Sequence, residues 1–141
     1  MKGRLNPDLA ALTLRLSLGL VLLAHSLYLK AVVYTLSGTA EFFVSIGLPG
    51  SLAYGVFLLE VMAGVALIAG WYSRLWALAV IPVLLGATWA HAGNGWLFTN
   101  AGGGWEYPLF LSAMAAIQLC LGDGRYAIGR RFPAFPYTED A

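Results

Sequence analysis

The chain has 141 residues, of which 60% are hydrophobic and 11% are charged, with a formal net charge of +1 and a mean hydropathy of +0.75. A soluble domain of this length could not bury that much apolar surface, and a near-neutral chain lacks the clustered Lys and Arg with which proteins bind nucleic acid. The one cysteine, Cys120, excludes a disulfide framework or a dithiol redox pair within the chain.

Four stretches approach the roughly 20 apolar residues that a helix needs to cross a hydrocarbon core of about 30 Å. We predict membrane spans at about residues 9–29, 52–70, 75–92 and 105–121. The fold class is therefore all-α, an integral-membrane antiparallel four-helix bundle over residues 1–122 with a cytoplasmic tail at 123–141.

The N-terminus carries signals for the start of the first span. Asn6 is a favourable helix cap, and Pro7 suits the first helical turn. A cleaved signal peptide is a competing interpretation of this region. Arg15 interrupts the apolar stretch, however, and no convincing cleavage site follows, so we interpret it as a retained span.

Residues 31–51 are apolar but interrupted by residues that break or bend helices. The interruptions are Gly38, Glu41, Gly47, Pro49 and Gly50. Phe42, Phe43 and Ile46 fall on one side of a short helix, which the glycine and proline after it would stop. We predict an interfacial or re-entrant segment, with a plain loop as the alternative.

Basic residues near the span ends indicate the orientation in the membrane. Those on the side of the termini are Lys2, Arg4, Arg74, Arg125, Arg130 and Arg131, whereas the opposite side has only Lys30. Because cytoplasmic loops carry the excess of Lys and Arg, both termini are predicted to be cytoplasmic. The loops 31–51 and 93–104 then face outward.

Most of the ionisable groups inside the spans are predicted to converge on the outer half of the bundle. At about 1.5 Å per helical residue, Glu60 lies about 12 Å below the outer surface and His25 about 6 Å below it. His91 and Glu106 lie almost at that surface, whereas Arg15 lies in the cytoplasmic half. Small residues share the helix face of Glu60, which predicts that this carboxylate points inward.

The roles of the charged groups have alternatives. Glu60 either forms a structural ion pair or hydrogen bond, with Arg15, Lys30 or a histidine, or handles protons or a ligand directly. Arg15 is predicted to be structural, by reaching toward the cytoplasm or by clamping Glu60. Lys30 is interpreted as the mark of a helix end.

The two histidines, His25 and His91, suit structural hydrogen bonding or contact with a quinone carbonyl. A haem ligated by both is disfavoured, because their estimated depths differ by about 6 Å. No metal is predicted, since the spacings typical of metal ligands are missing. A quinone is thus the one cofactor-like molecule that these residues favour.

Aromatic residues cluster at the outer ends of the last two spans. They are Trp89, Trp96, Trp105 and Tyr107. Such residues usually form an aromatic belt at the membrane surface, and stacking on a flat quinone ring is the alternative. Glu106 lies just before Pro108, where it is either a helix-start residue or part of a site.

Several of these motifs occur together in a known family. They are RLSLGLVLLAHS with a following lysine, GLPG, the glutamate of the second span, GWYSR, the histidine that ends the third span, and GNGWLFTNAGGGWEYP. This combination, over roughly residues 12–128, resembles the DoxX family of small four-span bacterial membrane proteins. The resemblance implies a protein of the bacterial inner membrane, often linked to redox stress and related to a quinone-reducing thiosulfate oxidoreductase.

The polar positions that the resemblance carries over are Arg15, His25, Lys30, Glu60, His91 and Glu106. Two positions depart from the family pattern. Ser26 stands where glycine commonly follows the histidine, and Lys30 comes five residues after His25 where four is usual. In an α-helix, five residues would separate Lys30 from His25 by roughly 140°.

The first functional hypothesis is a redox-associated membrane subunit with a quinone pocket in the outer half of the bundle. His25, Glu60 and His91 would relay protons. Substrate contacts are predicted for Arg15, Lys30, Glu106, Trp89 and Trp105. The sequence has no CxxCH, cysteine cluster or dinucleotide fingerprint, so the protein would be an enzyme only as part of a complex whose partner supplies the electrons.

The second hypothesis is a non-catalytic assembly or anchoring subunit, and the third is transport of protons or a small solute. The expected partners are membrane lipid and other subunits of a redox complex, and faces rich in Ala and Gly would also permit a homo-oligomer.

Overall fold

A computed structural model describes residues 6–131. This range consists of helices and the loops that connect them, without any β-strand. The α-helices are α1 (Pro7–Leu23), α2 (Leu36–Ser45), α3 (Ser51–Ala69), α4 (Ser73–Ala90) and α5 (Glu106–Leu121). A π-helical segment, Ala24–Val33, continues α1, and short 3-10 helices occupy Ala92–Asn94 and Ile128–Arg131. The prediction of an all-α protein is confirmed.

Three helices are long and apolar enough to cross a membrane. They are Pro7–Val33, Ser51–Ala69 and Ser73–Ala90, and α5 is a shorter apolar helix of 16 residues. All four lie within a few residues of the predicted spans, except that the first continues to Val33 instead of ending near residue 29.

The helix ends follow local chemistry. The Asn6 side chain accepts hydrogen bonds from the backbone N–H groups of Asp8 (3.1 Å) and Leu9 (3.3 Å), as expected for a cap. Gly70 ends α3 in the left-handed conformation, with φ of 70°. The start of α4 is capped from a distance, because Asp123 accepts a hydrogen bond of 2.6 Å from the Ser73 N–H.

Residues 31–51 contain a short helix, so the alternative of a plain loop is wrong for residues 36–45. The Thr35 hydroxyl caps α2 by accepting from the Gly38 N–H at 3.1 Å. The helix ends at Ser45, just before Gly47, whose φ is 85°. It packs against α3 and the π-helical segment.

The four longer helices form a closed ring of contacts. In this ring α1 packs on α3 and α5, while α4 packs on α3 and α5. The core between them is apolar and consists of Leu18, Leu22, Ala63, Leu67, Val80, Leu84, Leu111 and Ala115. α3 and α4 must be antiparallel, because only a short loop connects them.

Glycines allow α1 and α3 to approach closely beside this core. A Cβ atom on Gly19 would lie 2.7 Å from the Gly64 carbonyl oxygen and from Cγ1 of Ile68. A Cβ on Gly64 would lie 2.8 Å from Cγ of Leu23. Backbone rather than a flexible side chain limits the space at Gly19, so the two helices would have to separate to admit a larger residue.

We expect Gly19→Ala to destabilise the protein by about 1–3 kcal/mol, because a methyl group overfills this contact. Gly55→Ala is the matched control, since Gly55 also lies inside a helix but has nothing within 4 Å of the added Cβ. Its expected effect is neutral or a stabilisation of up to about 1 kcal/mol. Thermal unfolding in detergent measures both, and equal melting temperatures for the two variants would contradict the close approach.

Candidate functional site

Glu60 lies in the middle of α3 and is the centre of a buried polar cluster. Its residue is 5% exposed, which confirms the predicted inward direction. One carboxylate oxygen, Oε2, accepts a hydrogen bond of 2.6 Å from the Ser26 hydroxyl and forms an ion pair with the Lys30 ammonium group. We call these three residues the Lys30–Glu60–Ser26 cluster. The predicted ion pair of Glu60 is therefore present, with Lys30 as its partner.

The interpretation of Lys30 as a helix end is wrong. The first long helix continues to Val33, and the Lys30 side chain turns into the bundle, where 20% of it is exposed. Glu60 lies about 14 Å along α3 from its first residue, so the pair is well inside the bundle. A helix-end lysine would instead have turned its ammonium group to water.

Ser26 and Lys30 are four residues apart and share a face in an α-helix and in a π-helix alike, so both reach the same Glu60 oxygen. The π-helical segment changes the spacing between His25 and Lys30. Each N–H in such a segment bonds to the carbonyl five residues earlier, as the Tyr34 N–H does with the Leu29 carbonyl at 2.8 Å. The wider turn rotates each residue by less than an α-helix does. The separation of 140° between His25 and Lys30 that α-helical geometry predicts therefore does not apply, and the extra residue in the spacing is absorbed by the π-helix.

α2 supports this segment from outside. Thr39 is 8% exposed, and its hydroxyl lies 2.9 Å from the Thr35 carbonyl and 3.4 Å from the Lys30 carbonyl. A π-helix has a wide turn that needs neighbours to stabilise it. The short helix α2 thus helps to hold the backbone that carries Lys30.

The hydrogen bonds of the two histidines in the described residues do not involve the Lys30–Glu60–Ser26 cluster. Nδ1 of His25 lies 3.0 Å from the Val21 carbonyl, and its ring stacks on Tyr107 with centroids 5.8 Å apart. His91 stacks on Phe42 at 6.4 Å and lies 3.3 Å from the Asn94 amide nitrogen. Within residues 6–131, no hydrogen bond joins either histidine to Glu60, and no group of three or more His, Cys, Asp or Glu could hold a metal ion.

Arg15 and Glu60 are not partners. Arg15 is 1% exposed, and its Nη1 donates to the carbonyls of Leu67 (3.0 Å) and Ile68 (2.6 Å). Its Nη2 donates to the Tyr126 carbonyl at 2.5 Å. The last carbonyls of α3 have no partner inside the helix and carry the negative end of its dipole, so they attract a guanidinium group as a carboxylate would. Arg15 therefore neither clamps Glu60 nor reaches toward solvent.

The residues after α5 pack back onto the same end of the bundle. The Gly129 N–H donates to the Gly70 carbonyl at 3.0 Å, and the Arg125 N–H donates to the Asp8 carboxylate at 2.8 Å. Ala127 is 8% exposed. Residues 123–129 of the predicted tail thus contact the bundle, whereas residues 132–141, like Lys2 and Arg4, lie outside the described residues.

The loop between α4 and α5 has a defined conformation because its polar groups bond to one another. The Asn94 amide donates to the carbonyls of Gly102 (3.0 Å) and Gly103 (2.9 Å). Trp96 and Trp105 pack edge to face at 4.5 Å. Trp105 therefore has an aromatic neighbour within the loop, while Trp89 on α4 is 58% exposed, as in an aromatic belt.

Glu106 begins α5 and also binds this loop. Its Oε1 accepts a hydrogen bond of 3.0 Å from the Phe98 N–H. Beside it an open groove of about 480 Å³ runs along α5, which we call the outer groove. It is lined by Trp96, Phe98, Glu106, Tyr107, Leu109, Phe110 and Ala113. Glu106 is the charged residue of a mostly apolar surface.

Together these features define a multi-pass helical membrane protein with an ion pair inside its bundle. The sequence profile of the DoxX family matches residues 10–93, more than half of the 141-residue chain, and the protein belongs to this family. The matched range includes Arg15 and the Lys30–Glu60–Ser26 cluster, and it ends before the outer groove. No curated protein and no solved structure matches the chain.

Ser26 is the residue of the site that sequence reasoning missed. It is fully buried and donates directly to Glu60. The available signal was its departure from the usual glycine at that position. A polar side chain in place of glycine inside a membrane helix needs a hydrogen-bond acceptor, and Glu60 supplies one.

We expect Arg15→Met to destabilise the protein by about 3 kcal/mol, because three backbone carbonyls lose a charged donor. Arg125→Met is the matched control, since Arg125 is exposed and its recorded hydrogen bond uses only its backbone N–H. Thermal unfolding in detergent compares the two. Equal loss of stability in both variants would contradict the role of Arg15 as the tie between α1, α3 and the segment after α5.

A double-mutant cycle tests the ion pair. We expect Lys30→Met and Glu60→Gln to cost about 3 kcal/mol each, since either one leaves a charge without its partner. The double variant is expected to recover most of that loss, because no unpaired charge is left inside the bundle. Additive losses in the unfolding free energy would show that the two side chains do not interact.

Proposed function

We propose that this DoxX-family protein is a quinone-linked redox subunit of the bacterial inner membrane. The observation that carries the proposal is the Lys30–Glu60 ion pair inside the bundle, because charged groups at such positions are costly and usually serve substrates or protons. The Glu60 side chain is 7% exposed and the Lys30 side chain 20% exposed, so Lys30 is the more accessible partner. A ligand entering between the helices would meet Lys30 first.

The proposed topology has four spans, with α5 as the fourth and both termini in the cytoplasm. A helix of 16 residues covers about 24 Å, somewhat less than a hydrocarbon core, and local thinning of the bilayer compensates at modest cost. Arg74 and Arg125 then lie on the cytoplasmic side together with the Arg15 contacts. The Lys30–Glu60–Ser26 cluster and the outer groove lie in the outer half.

Reduction of a quinone to a quinol takes up two electrons and two protons, one proton on each carbonyl oxygen. In the proposed site Lys30 donates a hydrogen bond to one carbonyl and transfers its proton as negative charge develops there. Glu60 stabilises the ammonium form to which Lys30 returns when a new proton arrives. In the proposal, His25 and His91 pass protons through water, one to restore the Lys30 ammonium group and one to the second carbonyl oxygen of the quinone.

The electrons must come from a partner subunit. The sequence has a single cysteine and no motif that holds a haem, an iron–sulfur cluster or a dinucleotide. The outward loop 93–104 and the exposed helix faces are the surfaces available for that partner. Arg15, whose guanidinium is already bonded to three carbonyls, supports the scaffold in this proposal rather than the substrate.

A second candidate is a non-catalytic assembly or anchoring subunit. It is favoured by the way in which the buried charges find partners within the chain: Glu60 with Lys30 and Ser26, and Arg15 with backbone carbonyls. A network whose charged groups are paired within the chain can hold the helices together without binding a ligand. The two candidates differ in whether the ion pair also binds a ligand.

We expect the double variant Lys30→Met/Glu60→Gln to fold and to bind a short-chain quinone at least about 10-fold more weakly, because a charge-assisted hydrogen bond is lost. Isothermal titration of the purified protein in detergent measures the affinity. Glu41→Gln, at an exposed position of α2, is the control and should bind normally. A folded double variant with unchanged affinity would refute the quinone site and leave the assembly role.

A further inference from the structure

Among the side chains that the structure describes, none balances the charge of Glu106 in the outer groove. Glu106 uses Oε1 to accept from the Phe98 N–H, and no cationic side chain of the described residues pairs with it. Lys30 is bound to Glu60, and Arg15 lies at the opposite end of the bundle. The groove therefore presents the Glu106 carboxylate to a cation from outside.

The walls around that charge are aromatic. Trp96, Phe98 and Tyr107 line the groove next to Glu106. Aromatic faces combined with a carboxylate are the groups with which proteins bind ammonium ions, because the ring quadrupole and the full negative charge act on the same cation. A neutral quinone ring would not use the carboxylate, and a head group with a net negative charge, without an ammonium group to offset its phosphate, would be repelled by it.

The other end of the groove suits hydrocarbon. Leu109 is 39% exposed and Phe110 58% exposed on the outer face of α5, and Ala113 continues the same surface. The volume of about 480 Å³ falls in the range of small-molecule sites. A ligand that fits the whole groove has an ammonium head at the membrane surface and an apolar chain that runs along α5.

We propose that the outer groove is a specific site for a phospholipid with a primary ammonium head group, of the phosphatidylethanolamine type, taken from the surrounding bilayer. The ammonium group lies against the Glu106 carboxylate and the neighbouring rings, and an acyl chain covers Leu109 and Phe110. Because Glu106 also holds the Phe98 backbone, the bound lipid ties the loop 93–104 to α5. This site is separate from the Lys30–Glu60–Ser26 cluster.

The test uses the purified full-length protein in detergent and native mass spectrometry. The probes are short-chain phosphatidylethanolamine, phosphatidylglycerol with the same chains, and ethanolamine without chains. We expect the wild-type protein to bind the ethanolamine lipid about 10-fold more tightly than the glycerol lipid. Free ethanolamine at the same concentration should not displace it, since the chains supply part of the affinity.

Glu106→Gln keeps an acceptor for the Phe98 N–H but removes the charge, so the two lipids should bind equally to it. Glu41→Gln, which removes an exposed carboxylate elsewhere, should preserve the 10-fold preference. Three results would overturn the proposal: equal binding of both lipids to the wild type, an unchanged preference in Glu106→Gln, or displacement of the lipid by free ethanolamine. The wild-type comparison needs no variant, so it stands even if Glu106→Gln folds poorly.

Discussion

The ion pair between Lys30 and Glu60 is the interaction on which the arrangement of the bundle depends. Neither charge could stay inside an apolar bundle alone, because an unpaired charge there costs several kcal/mol. The pair therefore joins the first long helix to α3 at one register, and Ser26 adds a second donor to the same oxygen. Once this register is set, the apolar core and the Gly19–Gly64 contact oppose any sliding of α1 along α3.

The two ends of the bundle use charge in different ways. At the end near the termini, Arg15 and Asp123 bind backbone groups of α3, α4 and the segment after α5, which satisfies helix ends and closes the structure. At the other end, Glu106 keeps one oxygen free beside exposed aromatic rings. Charged groups at the first end thus bind the protein's own backbone, whereas the Glu106 carboxylate at the other end borders an open groove.

Much of the fold could be predicted because membrane helices follow simple rules of length and hydropathy. The Asn6 cap, the short helix after the first span and the inward direction of Glu60 all depend on local sequence, and all are present. Helices also occupy the four predicted spans, three of them long enough to cross a membrane and the fourth, α5, shorter. The candidate site was predicted only in part. Glu60 and Lys30 were both named, but their pairing was one of several alternatives, and Ser26 was missed.

The sequence by itself determined which segments are helical and which charges need a partner, because these properties follow from hydropathy, caps and helical periodicity over a few residues. It also determined most helix ends, but not that of the first long helix, which continues to Val33. Only the tertiary structure decided which groups the buried charges bind. Arg15 found carbonyls instead of Glu60, since the end of α3 carries partial negative charge that no side chain reveals. Glu60 likewise pairs with Lys30 and not with Arg15 or a histidine, because the π-helical segment packs against α3 where Glu60 lies.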